Sequence, residues 1–172
     1  MNSRIVLALA LAGALAAPMA PAQTCNPSIR ASAPDSRFVV NAAKGTVLDQ
    51  RTGLTWKRCV EGQSGANCGL GSAAYLNWGA ALRRAEASAF AGYKDWRVPN
   101  SKELESLVEV QCDSPAINLS VFPNDPSTWV WASSPYANYA YNAWSVNFSY
   151  GGSYYFGSRY NDNTVRLVRG GQ

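Results

Sequence analysis

Between Trp144 and Ser149 apolar and polar residues alternate without a break: Trp144, Val146 and Phe148 against Ser145, Asn147 and Ser149. A period of two sends successive side chains to opposite faces of a strand, so this stretch is expected to bury one face and wet the other. Gly151 and Gly152 follow as hairpin turn residues, and "GSYYFGS" resumes as the next strand. "TWVWASS" upstream and "TVRLVR" downstream read the same way, with Val165 and Leu167 as an inner strand. Trp131, Trp144, Val146, Phe148 and Phe156 are the expected buried alternates. The C-terminal part of the chain is thereby committed to antiparallel sheet.

Its wet face has an unusual composition. Of the nine tyrosines, only Tyr75 and Tyr93 lie outside residues 133–163, a segment with one Arg, one Asp and no Lys. Strand propensity and turn chemistry explain some of these residues, but not their density beside so few charges. A disordered tract would lack the fixed apolar alternates. The candidate ligand-contacting set is Tyr136, Asn138, Tyr139, Tyr141, Asn142, Ser145, Asn147, Tyr150, Tyr154, Tyr155, Ser158, Tyr160, Asn161, Asp162 and Asn163. Tyrosine gives a large contact area for few rotatable bonds, while Asn and Ser give adaptable hydrogen bonds, the mixture used by antibody paratopes.

Upstream, "GTVLDQRTGLTWKRC" reads as two short strands about a turn, Asp49 capping that turn. Trp78, Leu82, Ala85 and Ala89 keep helical spacing, and Gly92 offers a stop. A second helix begins at Asn100, where Glu103 three residues on completes a capping box. Leu104, Leu107 and Val108 mark its buried face, Glu105 and Glu109 a solvated one. Trp96 and Val98 before the cap read as a short core strand. The connector "DSPAINLSVFPNDPST" is expected to be irregular, pinned by Ile117, Val121 and Phe122.

Residues 1–22 have the positive start, apolar run and Ala20-Pro21-Ala22 cleavage pattern of a secretory signal peptide. Secretion or surface display follows, with the periplasm as the alternative destination. The apolar run is shorter than the ~20 residues that span a bilayer, and no later run is longer, so no transmembrane segment is expected. Residues 23–44 read as an N-terminal extension, and residues 45–172 as the domain.

Four cysteines in an exported chain point to disulfides, with three pairings open. Cys59 and Cys68 flank a short Gly- and Ser-rich loop that a local bridge would close, leaving Cys25 for Cys112. The bases (Lys44, Arg51, Lys57, Arg58, Arg83, Arg84, Arg97, Lys102, Arg166, Arg169) are dispersed, as a solvated surface has them, and no nucleic-acid footprint forms. There is no histidine, which excludes His-activated nucleophiles and the common His-ligated zinc hydrolase sites. The sequence assigns no catalytic residue, metal ligand or cofactor.

"DQRTGLTWKRC", "FAGYKDWRVPNSKEL", "SPAINLSVFP", "WASSPYA", "AWSVNF" and "VRLVRGGQ" together resemble the bacterial Lcl C-terminal domain family over about residues 45–172. The resemblance implies an exported α+β domain of C-type-lectin-like fold, with two helices, a twisted antiparallel sheet and a loop-rich face. The name-giving member is an adhesin whose C-terminal domain binds sulfated glycosaminoglycans. An extracellular glycan, sulfated ones included, or a protein is therefore the implied partner. The reactive cysteine pair of formylglycine-generating enzymes has no counterpart here, and neither does the Glu-Pro-Asn or Gln-Pro-Asp triplet of calcium-dependent lectins. The Tyr/Asn/Ser set also resembles the variable positions of lectin-like proteins diversified by retroelements.

Three function classes fit these observations: an exported ligand-binding or adhesion module, a structural component of a surface assembly, and a carboxylate-dependent glycan-processing enzyme. The last needs two carboxylates converging in one cleft.

Overall fold

The structure, a computed structural model, describes residues 22–170, the side chain of Phe156 excepted. The expected leader, apart from Ala22, and the expected burial of Phe156 lie outside the described residues. The first half of the chain contributes β1 (Thr24–Cys25), β2 (Phe38–Asn41), β3 (Thr46–Asp49), β4 (Thr55–Lys57), β5 (Gln63–Ser64), β6 (Leu70–Gly71) and α1 (Trp78–Glu86). The second half contributes α2 (Ser101–Glu105), β7 (Cys112–Asp113), β8 (Trp129–Pro135), β9 (Asn142–Asn147), β10 (Gly152–Ser158) and β11 (Val168–Arg169).

Local chemistry accounts for the boundaries. Asp49 accepts from the Arg51 amide at 3.0 Å and the Thr52 hydroxyl at 2.7 Å, closing the β3–β4 turn. Asn77 caps α1 by accepting from the Ala80 amide at 2.9 Å. Asn100 and Glu103 exchange both bonds of the capping box at 2.8 Å each, as the sequence predicts. Arg97 forks onto the Glu103 carboxylate, two bonds of 2.7 Å. The helices are shorter than their periodicity suggests. A tight turn over Phe90–Gly92, with Ala91 at φ +54°, ends the first before Ala89 can join it. The second stops at Glu105, and Val108 instead bridges to Ile117. Trp96 and Val98 are buried as expected but make no strand; Arg97 between them forms a single bridge to Val168.

One antiparallel sheet has the order β11-β4-β3-β2 and a second the order β10-β9-β8. The larger core lies between them, joining Val47, Trp56 and Val168 to Val130, Ala132 and Val146, with Leu104, Leu107, Ile117 and Phe122 packed in. A second core covers the opposite face of the three-stranded sheet, where Ala81 and Ala85 of α1, Trp96, Val98, Val165 and Leu167 meet Trp131 and Ala143. Val165 and Leu167 are thus buried as expected, although the ladder itself starts only at Val168. Both faces of that sheet being covered, Ser145 (2% exposed) and Asn147 (7%) are buried rather than wet. Trp144, expected inside, is only half-buried at the margin of the larger core.

Both disulfides are formed. Cys59–Cys68 closes the loop carrying β5, just before β6, and Cys25–Cys112 ties β1 to β7 across 87 residues. Two charges expected at the surface are inside. Arg166 is 1% exposed and holds the buried Asp125 at 2.8 Å while donating to the carbonyls of Lys57 and Arg58. Glu109 is 4% exposed. The segment between β1 and β2 folds back over it, and Glu109 accepts from the amides of Ser32 at 3.0 Å, Ala33 at 2.8 Å and Gln111 at 3.0 Å. Among the described residues no helix is long and apolar enough to cross a membrane. Two helices with segregated antiparallel sheets make this an α+β fold, in keeping with the C-type-lectin-like class.

Candidate functional site

The tyrosine-rich segment does not form one sheet face. It occupies the outer strand β10, the β8–β9 loop and the loop after β10. Tyr139 (58% exposed), Tyr141, Tyr150, Tyr154 and Tyr160 (77%) are open to solvent, as are Asn138, Asn161 and Asp162. Tyr136, Asn142, Tyr155, Ser158 and Asn163 are half-buried. Ser145 and Asn147 are set apart: Ser145 lies opposite the buried Trp131, and Asn147 accepts from the Ser149 amide at 2.7 Å to shape the β9–β10 turn.

The exposed rings are connected. Register places Tyr154 opposite Ser145 and Trp129 opposite Asn147, on the α1 side of the sheet. Trp129 meets Tyr150 edge-on at 6.4 Å and Tyr154 at 5.5 Å. Tyr155 follows Tyr154 with its ring at 6.1 Å and 27°, and reaches Trp144 at 5.4 Å and Tyr136 at 4.7 Å, on the Val146 side. Tyr139 stacks on Tyr136 at 6.0 Å. A register shift between Tyr154 and Gly157 interrupts the pleat there, where neighbouring residues would otherwise point to opposite faces. The result is a continuous band of rings, Tyr150, Trp129, Tyr154, Tyr155, Trp144, Tyr136 and Tyr139, wrapping the outer edge of the three-stranded sheet. Aromatic pairs at these separations contribute about 0.5–1.5 kcal/mol beyond area burial, so the band is partly preorganised.

A second ring pair, Tyr141 on Tyr160 at 6.4 Å, stands beyond the band, and Arg159 lies over the Trp78 ring at 4.3 Å. The loops are held by backbone: Tyr136 N and Arg159 Nε both donate to the Asn142 carbonyl, at 3.1 Å each, and Asn163 exchanges backbone bonds with Leu76. Ser158 Oγ accepts from the Tyr160 amide at 3.4 Å. Two members of the band were not among the sequence candidates. Trp129 shares the spacing of two with Trp131 and so the same face, but sits at the strand end where α1 no longer covers it. Trp144 was assigned to the scaffold because alternation reports side, not depth.

The buried carboxylates have structural partners. Burial pushes the Asp49 carboxyl up, but hydrogen bonds from Arg37 and Thr52, the Arg37 charge and the Arg51 amide outweigh it and hold it below the usual aspartate range. In Glu103 burial is likewise overcome by Arg97 and the Asn100 amide. In Glu109 it is overcome by the amides of Gln111, Ser32 and Ala33 and the Ser32 hydroxyl. Glu61 is paired with Lys57 and Asp125 with Arg166. Asp49, Glu103 and Glu109, stabilised in the ionised form, are poor general acids.

Comparison with known proteins adds the identity of the domain. No curated protein matches the chain significantly. The sequence profile of the Lcl C-terminal domain matches residues 45–169, most of the chain and all of the segments described above from β3 to β11. The chain belongs to the Lcl C-terminal domain family.

Proposed function

We propose that this protein is an exported recognition module that binds an extracellular glycan or protein through the aromatic band around β10. The observation that carries the reading is the band itself: seven linked rings, three of them exposed, in a segment with a single arginine and a single aspartate. Exposed apolar patches of this kind on folded proteins mark interaction sites, and contact with an almost uncharged surface incurs little charge desolvation. Export is supported by the leader and by two formed disulfides. A non-catalytic role is supported by the partnering of each buried carboxylate. Retroelement diversification, if it acts on this chain, is confined by packing to the loops and β10, because Ser145 and Asn147 are interior.

Interaction hot spots are few and aromatic. Replacing Tyr139, Tyr150 and Tyr154 together by Ser is therefore expected to weaken retention on a glycan array or on whole cells by more than about tenfold. Melting should fall by no more than the lost ring contacts account for and stay cooperative, since all three rings are exposed. Undiminished retention by the folded triple variant would place the binding surface elsewhere.

A further inference from the structure

At the Tyr150 end of the band the surface opens into a cleft of about 500 Å³, walled by Gln63, Ser114, Asn124, Asp125, Ser127 and Ser149. Its position is fixed by the chain: Tyr150 follows Ser149, and Trp129 lies two residues after Ser127, their rings edge to face at 6.4 Å. The band therefore begins at the rim of the cleft.

Three properties of this cleft point to a ligand. First, five described residues other than glycine have positive φ, and three of them, Ser114 (52°), Asn124 (53°) and Ser127 (53°), stand in its wall. Backbone held in this region is costly for residues with a Cβ and gathers where function over-determines it. Second, the lining is uncharged. Its single ionisable residue, Asp125, is neutralised by Arg166 at 2.8 Å, and both side chains are buried. What remains is the apolar surface of Pro115 and Pro126 interleaved with hydroxyl and carboxamide side chains. Third, the amides are anchored but not saturated. Asn124 donates to the Cys68 carbonyl at 3.0 Å, and Gln63 donates to the Asn124 carbonyl at 3.2 Å. The Gln63 Oε1, buried in the wall, has no donor. Ser149 Oγ, by contrast, is committed to the Ser127 carbonyl.

An uncharged concave site with convergent hydroxyls and carboxamides, adjoining an aromatic rim, matches a ring with many hydroxyls and apolar C–H faces. We infer that the cleft is the anchoring subsite for one residue of a neutral oligosaccharide, whose following residues lie along the band from Tyr150 and Trp129 to Tyr154. The inference rests on the reading of the band as a recognition surface and narrows its ligand to a neutral glycan. An anionic chain would find no cation in the cleft, and a folded protein surface would leave its hydroxyls and amides unmatched.

The test uses the mature chain, residues 23–172, on an array of neutral oligosaccharides of one to eight residues and of sulfated ones, at low and high salt. Cleft side chains are removed by Asn124→Gly, which gives up the bond to the Cys68 carbonyl, and by Ser127→Gly; glycine adopts the positive φ more easily, which offsets that loss. The band is probed separately by Tyr154→Ser. The expected result is binding of a neutral oligosaccharide that is nearly salt-independent, since no ion pairs form, and falls more than tenfold in the Gly variants with unchanged melting. Tyr154→Ser should cost long oligosaccharides more than monosaccharides. Retention of sulfated chains alone, or of no glycan, would overturn the inference. So would wild-type binding by the Gly variants. If Tyr154→Ser lost binding to glycans or whole cells while the Gly variants did not, the band would stand and the cleft would fall. Loss in neither variant would remove both.

Discussion

At the scale of the single residue, Glu109 shows how this fold uses charge. Its carboxylate, almost fully covered, replaces water with three backbone amides and the Ser32 hydroxyl. Those donors hold its folded pKa below the ordinary 4.5. A depressed folded value means that the stabilisation is complete above the ordinary value and is lost as the pH falls through the folded one. Asp49 and Glu103 are lowered too, so all three feed one acid limb. Glu109→Gln keeps the shape but removes the charge and one of the two acceptor oxygens. It should cost about 1–3 kcal/mol at pH 7. Against wild type, that deficit should shrink as the pH is lowered towards 3, because the native carboxylate is then lost as well. Urea titrations of both proteins at several pH values read this directly. A deficit that stayed constant with pH would mean that the ionised carboxylate is not what the loop binds.

At the scale of the element, the three-stranded sheet separates what a sequence can state from what only packing decides. The period of two in β9 gives sidedness, the glycine pair gives the hairpin, and the capping box at Asn100 gives a helix start. All three are local, and all three hold. Whether the second face is wet depends on α1, which is some sixty residues away and returns over Trp131. Glu109 is likewise buried by residues 76 and 77 positions earlier, and Asp125 meets Arg166 across 41. For the same reason the candidate site keeps most of its tyrosines, loses Ser145 and Asn147 to the interior, takes in Trp129 and Trp144, and changes its shape from a face to an edge. Where the β10 irregularity ends, at Gly157, the strand runs too close to Trp131 for a side chain. A Cβ at Gly157 would stand 2.9 Å from the Trp131 ring and 3.0 Å from the Ala143 carbonyl. Gly157→Ala should therefore cost about 1–3 kcal/mol, an overpacking penalty. In a Trp131→Phe background the smaller ring should relieve part of it, giving a measurable coupling in a double-mutant cycle. Equal costs in the two backgrounds would mean that Trp131 is not the obstacle.

At the scale of the whole molecule, the matched family segment and the folded unit differ at the N-terminus. The match begins at residue 45, yet β2 pairs residue by residue with β3 from Phe38↔Asp49 to Asn41↔Thr46. Phe38 is in the larger core, edge-on to Phe122 at 5.6 Å. Arg37 supplies the buried partner of Asp49, and Ser32 and Ala33 supply two of the amides on Glu109. Gln23 donates to the carbonyls of Pro115 and Ile117 at 2.7 Å each, beside the Cys25–Cys112 bridge. A chain starting at Gly45 would strip Asp49 of its cationic partner Arg37 and leave it only the Thr52 hydroxyl and the Arg51 amide, a loss of up to about 3–5 kcal/mol. It would forfeit roughly 2 kcal/mol from Phe38. Removing the Cys25–Cys112 bridge would take about 2–5 kcal/mol more. Together these rival the ~5–15 kcal/mol that an ordinary domain has in total. We therefore expect residues 45–172 to give no cooperative melting transition, while residues 23–172 give a single one. Arg37→Met in the longer chain removes the Asp49 ion pair together with the bonds to Ser106, and should lower stability while leaving a cooperative transition. A chain of residues 45–172 that melted cooperatively near the midpoint of the longer one would show that the N-terminal segment only rests on the domain.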